Sequence, residues 1–107
     1  MTTFDRREEA FESGFMHDEE LRFKAEARRD KLIGLWAAEK LGLTGEAATD
    51  YARALVATAV ADHGDRTVFS KIRADFDAAG VHQSDHQIHR TMDELFAVAV
   101  RELKAAR

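Results

Sequence analysis

The chain has 107 residues, a net charge of −4, and neither cysteine nor proline. This length suits one small domain with an appendage, and 45% hydrophobic with 34% charged residues is typical of a soluble globular protein. The lack of cysteine excludes a disulfide framework and thiolate chemistry. The acidic balance argues against nucleic acid or an anionic membrane as the main partner, because both require positive charge at the contact.

Charge is unevenly distributed along the first forty residues. Residues 1–20 carry seven acidic residues and two arginines, whereas residues 21–40 carry six basic and three acidic residues. The N-terminus has acidic residues where a signal peptide has an apolar core. The longest nearly uncharged apolar run, residues 54–61, is too short to cross a bilayer. We therefore expect a cytoplasmic protein without direct membrane insertion.

The first segment, residues 1–20, is polar with three widely spaced phenylalanines. Phe4, Phe11 and Phe15 are seven and four residues apart, so they share one face of a helix. This thin stripe predicts an N-terminal arm that is only partly helical when free, because a short isolated helix is marginal in water. The arm is either a solubilising tail or a binding segment that folds on docking. Three large aromatic side chains on one face favour the second interpretation.

The stretch from Leu21 to Leu43 has a denser apolar stripe and a basic run, which predicts a helix continuous with the arm. Gly42 is expected to end this helix. The stripe is expected to consist of Leu21, Ala25, Leu32, Leu35 and Trp36. The basic residues in the middle of the helix are expected to form its solvated face.

Three further helices follow from apolar periodicity and capping signals. The second begins after Thr44 and ends at Gly64, the third begins at Asp65 and ends before Gly80, and a capping box at Ser84 and Gln87 starts the fourth. The expected buried residues of the second helix are Tyr51, Ala52, Leu55, Val56, Ala59 and Val60; of the third, Val68, Phe69, Ile72, Phe76 and Ala79; and of the fourth, Ile88, Met92, Leu95, Phe96, Ala99 and Leu103. The sequence therefore predicts an all-α four-helix bundle with a mobile N-terminal arm, divided into residues 1–20 and 21–107.

Catalytic and metal-binding patterns are weak. His82, His86 and His89 are the best metal candidates, but His82 precedes the helix cap, and surface histidines are the simpler interpretation. The acidic residues are scattered along helix surfaces without a nucleophile–base pair, so we expect no enzyme, no metal and no cofactor. A helix-turn-helix is disfavoured because Lys71 and Arg73 lie among acidic residues in the third helix.

The stretch FDRREEAFESGFMHDEELRFKAEARRDKLIGLWAAEKLG, Phe4 to Gly42, resembles the bacterial zeta subunit, an inhibitor of the F-type ATP synthase. The resemblance continues through GLTGEAATDYA and the AAGV turn near Gly80, and HDEE and EARRDKLIGLWAA are its most specific parts. One departure is Ile33 and Gly34 in KLIGLW, where a second leucine is expected; it is interpreted as conservative.

The resemblance implies a four-helix bundle whose N-terminal arm becomes helical on entering the catalytic head of the synthase. There it would lodge between α and β subunits near the γ shaft and block rotation in the hydrolytic direction. The implied apolar contacts are Phe4, Phe11 and Phe15, and the implied polar contacts are Arg6, Arg7, Glu8, Glu9 and Glu12. The protein would then be peripheral to the inner membrane through the synthase, and monomeric when free. The alternative is a scaffold or assembly factor that binds a protein through the basic stretch Arg22 to Lys31 and leaves hydrolysis untouched.

Overall fold

Four helices form the described part of the chain. The computed structural model describes residues 19–62 and 65–106, in which α1 spans Glu19–Lys40, α2 Gly45–Asp62, α3 Asp65–Ala79 and α4 Asp85–Ala106. These residues contain no strand, so the all-α prediction is confirmed. The helix α1 packs mainly against α2 and α4, and α3 completes the bundle beside α2.

Glycines in the left-handed region end α1 and α3. Gly42 has a φ of 81°, and the amide of Leu43 donates to the carbonyl of Ala38 at 2.9 Å. Gly80 has a φ of 71°, and the amide of Val81 donates to the carbonyl of Phe76 at 2.9 Å. Both are Schellman ends, in which a residue without a Cβ turns the chain while the last carbonyls keep hydrogen-bond partners. The predicted ends of these helices are confirmed, whereas the predicted end of α2 at Gly64 lies outside the described residues.

The start of α4 is the predicted capping box. The amide of Gln87 donates to Ser84 Oγ at 3.0 Å, and the amide of Ser84 donates to Gln87 Oε1 at 2.8 Å. Two amide donors that the first turn would leave unpaired are thus satisfied by reciprocal side-chain contacts. This fixes the residue at which α4 begins.

The main core lies where all four helices meet. Its largest fully buried side chains are Phe76, Ile33, Leu55, Ile72, Ile88 and Val68. Partly buried residues close it from the sides, among them Trp36, whose ring centroid is 5.6 Å from that of Phe76 at an angle of 60°. A smaller cluster joins the first half of α1 to the last half of α4 through Ala25 and Val100, with Leu21, Phe96 and Leu103 packed against it.

The apolar face of α1 differs from the predicted one. Ile33, Ala37 and Ala38 are fully buried, whereas Leu32 and Leu35 remain partly exposed. The reason is that small residues let α2 approach closely, so the helix buries its alanines rather than its leucines. Two further predictions of burial were wrong: Val60 is 43% exposed and Ala79 is exposed, because each points away from the neighbouring helices.

Gly34 is buried at the crossing of α1 and α2. A Cβ at this position would lie 2.8 Å from the Cα of Ala52 and 3.0 Å from its Cβ. A leucine side chain cannot enter this space unless the helices separate. Gly34 therefore has a packing role at this crossing, and Ile33 beside it is fully buried in the core.

Candidate partner-binding site

All eight residues expected to contact a partner precede the described part of the chain. They are Phe4, Arg6, Arg7, Glu8, Glu9, Phe11, Glu12 and Phe15. The described part of the chain begins at Glu19, the first residue of α1. We call residues 19–31 of α1 the stem.

A buried ion pair lies within the stem. Arg29 and Asp30 are each only 5% exposed, and Arg29 Nε donates to Asp30 Oδ1 at 2.8 Å. The guanidinium of Arg29 also lies 6.0 Å from the ring centroid of Phe96 on α4. Because a buried charge is costly unless it is paired and hydrogen-bonded, Asp30 offsets the cost of burying Arg29 where Arg29 contacts α4.

The burial of this pair was not predicted from the sequence. The basic residues of the stem were expected on the solvated face, which holds for Arg28 and Lys31 but is wrong for Arg29. Extending the step of four from Leu21 and Ala25 reaches Arg29, so the periodicity did carry a signal. The charge of the side chain outweighed that signal in the sequence-based interpretation.

An open groove of about 670 Å³ runs along the exposed side of the stem, and we call it the stem groove. It is lined by Phe23, Lys24, Ala27, Arg28, Lys31, Leu32 and Leu35 of α1, Val56 of α2, and Glu102 and Leu103 of α4. Its floor is aliphatic and three of its rim residues are basic. An aliphatic surface with a cationic rim is suited to an apolar segment that also carries carboxylates.

The rim cations are only partly neutralised within the described chain. Lys24 Nζ lies 3.2 Å from Glu20, and Arg28 Nη1 lies 3.5 Å from Glu102. Lys31 is exposed and has no ion pair with any residue of the described ranges. Exposed pairs of this kind stabilise the fold little and exchange readily, so the rim can receive other carboxylates.

Phe23 stands at one end of the stem groove with 51% of its surface exposed. It and Val60 are the two large apolar residues that are most exposed in the described part of the chain. Phe23 was not predicted as a surface residue from the sequence. Its helical register relative to Ala25 could have placed it on the solvent side, next to the basic residues.

The three histidines do not come together as ligands. In residues 19–62 and 65–106, no three His, Asp or Glu side chains are grouped so that they could hold a metal ion. His89 instead stacks on Phe69, with ring centroids 4.1 Å apart and an angle of 5°. This contact joins α3 to α4 and gives His89 a packing role.

Two of the three basic residues of α3, Lys71 and Arg73, are paired with acidic residues one turn later. Lys71 Nζ lies 3.0 Å from Asp75, and Arg73 contacts Asp77 at 2.8 Å. Arg73 also contacts Asp85 at 3.1 Å, and these hydrogen bonds raise the pKa of its guanidinium. A recognition helix for DNA needs cations that are available to phosphates, so these pairs disfavour that role.

Tyr51 links α2 to α3 through the same acidic turn. Its hydroxyl donates to Asp75 Oδ2 at 2.7 Å. Burial, followed by the hydrogen bond to Asp75 and its negative charge, raises the pKa of Tyr51 above its ordinary value. The arrangement is structural, because the phenol is held neutral and joins α2 to α3.

No helix in the described ranges is long and apolar enough to cross a membrane. A family model described as ATPase inhibitor subunit zeta matches residues 1–102 of the chain. The match covers the N-terminal segment, the stem and nearly all of the bundle. None of the curated proteins with which the chain was compared matches it.

Proposed function

The chain belongs to the ATPase inhibitor subunit zeta family, and from that premise we propose that it inhibits ATP hydrolysis by the F-type ATP synthase through its N-terminal segment. The segment would enter an interface between α and β subunits of the catalytic head, near the γ subunit, and block rotation in the hydrolytic direction. The observation that carries this proposal is the extent of the family match, which includes residue 1 and continues through the bundle.

The chemistry of the segment supports this role. Phe4, Phe11 and Phe15 provide an apolar face for a protein crevice, and helical docking would order that face only on binding. The implied polar contacts are Arg6, Arg7, Glu8, Glu9 and Glu12, which would lie at the rim and steer association. The protein would act without chemistry of its own and would be peripheral to the membrane through the synthase.

The bundle has a mechanical role in this proposal. An inserted segment can block rotation only if a folded part of the protein, outside the crevice, prevents the segment from being pulled into the interface. The stem is held to α4 by the contact of Arg29 with the ring of Phe96 and by the cluster around Ala25 and Val100. A folded body with such a root would serve as anchor and as a bulky stop.

ATP hydrolysis by the cognate catalytic head tests the proposal. The full chain should inhibit, whereas Phe11→Ala/Phe15→Ala should inhibit poorly and Ser13→Ala, a matched control in the same segment, should inhibit normally. Deleting residues 1–17 should abolish inhibition, with circular dichroism confirming that the bundle remains folded. Inhibition by the truncated chain equal to that of the full chain would refute a role for the segment.

The stem groove favours a second candidate, a scaffold or assembly factor. Its cationic rim and the exposed ring of Phe23 would bind a partner protein without affecting hydrolysis. On this account Phe11→Ala/Phe15→Ala would leave partner binding unchanged, and neither it nor the intact chain would slow hydrolysis. The same assay, combined with a pull-down of the synthase, separates the two functions.

A further inference from the structure

The stem groove presents apolar surface that no element of the described chain covers. Leu32, Leu35 and Val56 line its floor, and Phe23 stands at its end with half of its surface exposed. An exposed apolar patch framed by polar residues is typical of a binding surface. The remaining question is which molecule occupies it when the protein is free.

We propose that the N-terminal segment of the same chain, residues 1–18, folds back into the stem groove when no partner is bound. The docking is weak and reversible, and it conceals the phenylalanines that the proposed function uses. The docking itself does not rest on the proposed function, whereas its consequence for inhibition does.

The charges of segment and groove are complementary. Glu8, Glu9 and Glu12 lie between the first and last phenylalanine of the segment, in a stretch of residues 4–15 with four acidic residues and two arginines. Lys31 at the rim has no ion pair within the described residues, and the 3.5 Å contact of Arg28 with Glu102 is long. Carboxylates of the segment can therefore pair with the rim while its aromatic rings cover the floor.

The segment is also long enough to return. From Phe23 to Leu35 the groove follows α1 for about 18 Å at 1.5 Å per residue. An extended chain covers up to about 3.5 Å per residue, so the residues before Glu19 reach about 60 Å. Gly14 offers a position at which the backbone can reverse without steric cost. Because the segment is tethered beside the groove, its effective concentration is on the order of millimolar, and weak contacts are sufficient.

The consequence is competition between the stem groove and the ATPase for the same side chains. A segment that is docked half to nine-tenths of the time would inhibit about two- to ten-fold less strongly than one that is always available. Weakening the groove should therefore strengthen inhibition. The scaffold function instead predicts no inhibition by either protein and weaker binding of the partner by the groove variant, since there the groove itself binds the partner.

A spin label tests the docking directly in the free, full-length protein. The chain has no cysteine, so Ser13→Cys carries a single nitroxide. Relaxation enhancement is measured at the amides of Leu35 and Val56, which line the groove on α1 and α2. The groove variant is Arg28→Glu/Lys31→Glu. The matched control is Arg53→Glu/Arg90→Glu, which makes the same change in net charge at exposed ion pairs outside the groove.

We expect enhancement at Leu35 and Val56 in the unmodified chain and in the control, and its loss in the groove variant and at high salt. Phe11→Ala/Phe15→Ala should lose it as well. Absence of enhancement in the unmodified chain, or equal enhancement in groove variant and control, would overturn the proposal. A mixture of nitroxide-labelled chains and isotope-labelled chains without nitroxide provides a further test. If enhancement arises only between the two kinds of chain, a second copy occupies the groove and the proposal is overturned. An unchanged or lower inhibitory potency of the groove variant would overturn the competition while leaving the spin-label result to decide the docking.

Discussion

Gly34 of α1 faces the backbone of Ala52 on α2, with room for a hydrogen atom but not for a methyl group. A Cβ on Gly34 would lie 2.8 Å from the Cα of Ala52 and 3.3 Å from Cδ2 of Leu55. Contacts with backbone atoms cannot be relieved by rotating a side chain. The two helices can be this close only because one of them lacks a side chain at the crossing.

Gly34→Ala should therefore destabilise the protein, although alanine is favoured over glycine in a helix by about 1 kcal/mol. We expect a net loss of about 1–3 kcal/mol from overpacking, measured by urea denaturation. Gly34→Ala/Ala52→Gly should recover part of this loss, because it removes the 3.0 Å contact with the Cβ of Ala52. An increase in stability for Gly34→Ala alone would show that the crossing is looser than the structure has it.

The buried pair in the stem should be sensitive to the loss of either partner. Asp30→Ala leaves the Arg29 guanidinium, 5% exposed, without its 2.8 Å partner, and we expect a loss of about 3–5 kcal/mol. Arg29→Met/Asp30→Ala should cost less than Asp30→Ala alone, because it also removes the buried positive charge. Chemical denaturation of the two variants provides the comparison, and equal losses would mean that the pair is not coupled.

The hydrogen bond from Tyr51 to Asp75 should give a pH-dependent contribution to stability. Tyr51→Phe should lose about 1–3 kcal/mol at neutral pH, since the acceptor is a charged carboxylate. Because the folded-state pKa of Tyr51 is raised, this contribution is complete below the unfolded-state pKa of about 10 and is lost as the pH rises above it. Denaturation of both proteins at pH 7 and above pH 10 should show the difference narrowing. A constant difference would indicate that the phenol does not ionise on unfolding.

The aromatic residues of the core differ in how deeply they are buried, so their replacement should cost different amounts of stability. Phe76 is fully buried, so Phe76→Ala should cost about 3–5 kcal/mol through lost transfer energy and a cavity. Trp36 and Phe96 are only partly buried, and their replacement by alanine should cost less than that of Phe76. Thermal unfolding of the three variants measures their losses of stability and ranks them. A larger loss at Phe96 than at Phe76 would contradict the order of burial.

Helix number and most helix ends could be predicted from the sequence because they depend on local chemistry. Gly42, Gly80 and the Ser84–Gln87 box act within a few residues of their own positions. The buried face of each helix was harder to predict, because it depends on which neighbouring helix packs against it. Ile33 and Ala37 face the core instead of Leu35 because the glycine at position 34 brings α2 close.

The candidate site divides in the same way. The aromatic residues of the N-terminal segment were found from their spacing, and they remain a prediction because they lie outside the described residues. The stem groove could not be found from the sequence, since it combines Phe23 of α1 with Val56 of α2 and Leu103 of α4. Residues so far apart in the chain share no periodicity, and only the packing of the helices brings them together.

The central claim is that the N-terminal segment carries inhibition, and an inhibition titration tests it most directly. The cognate catalytic head is titrated with the full chain and with Phe11→Ala/Phe15→Ala, and the half-maximal inhibitory concentration is compared. Each buried phenylalanine contributes about 1.5–3 kcal/mol, so we predict a rise of about a hundred-fold to ten-thousand-fold in that concentration, with the circular dichroism spectrum unchanged. Equal half-maximal concentrations for the two proteins, or no inhibition by the full chain, would contradict the account.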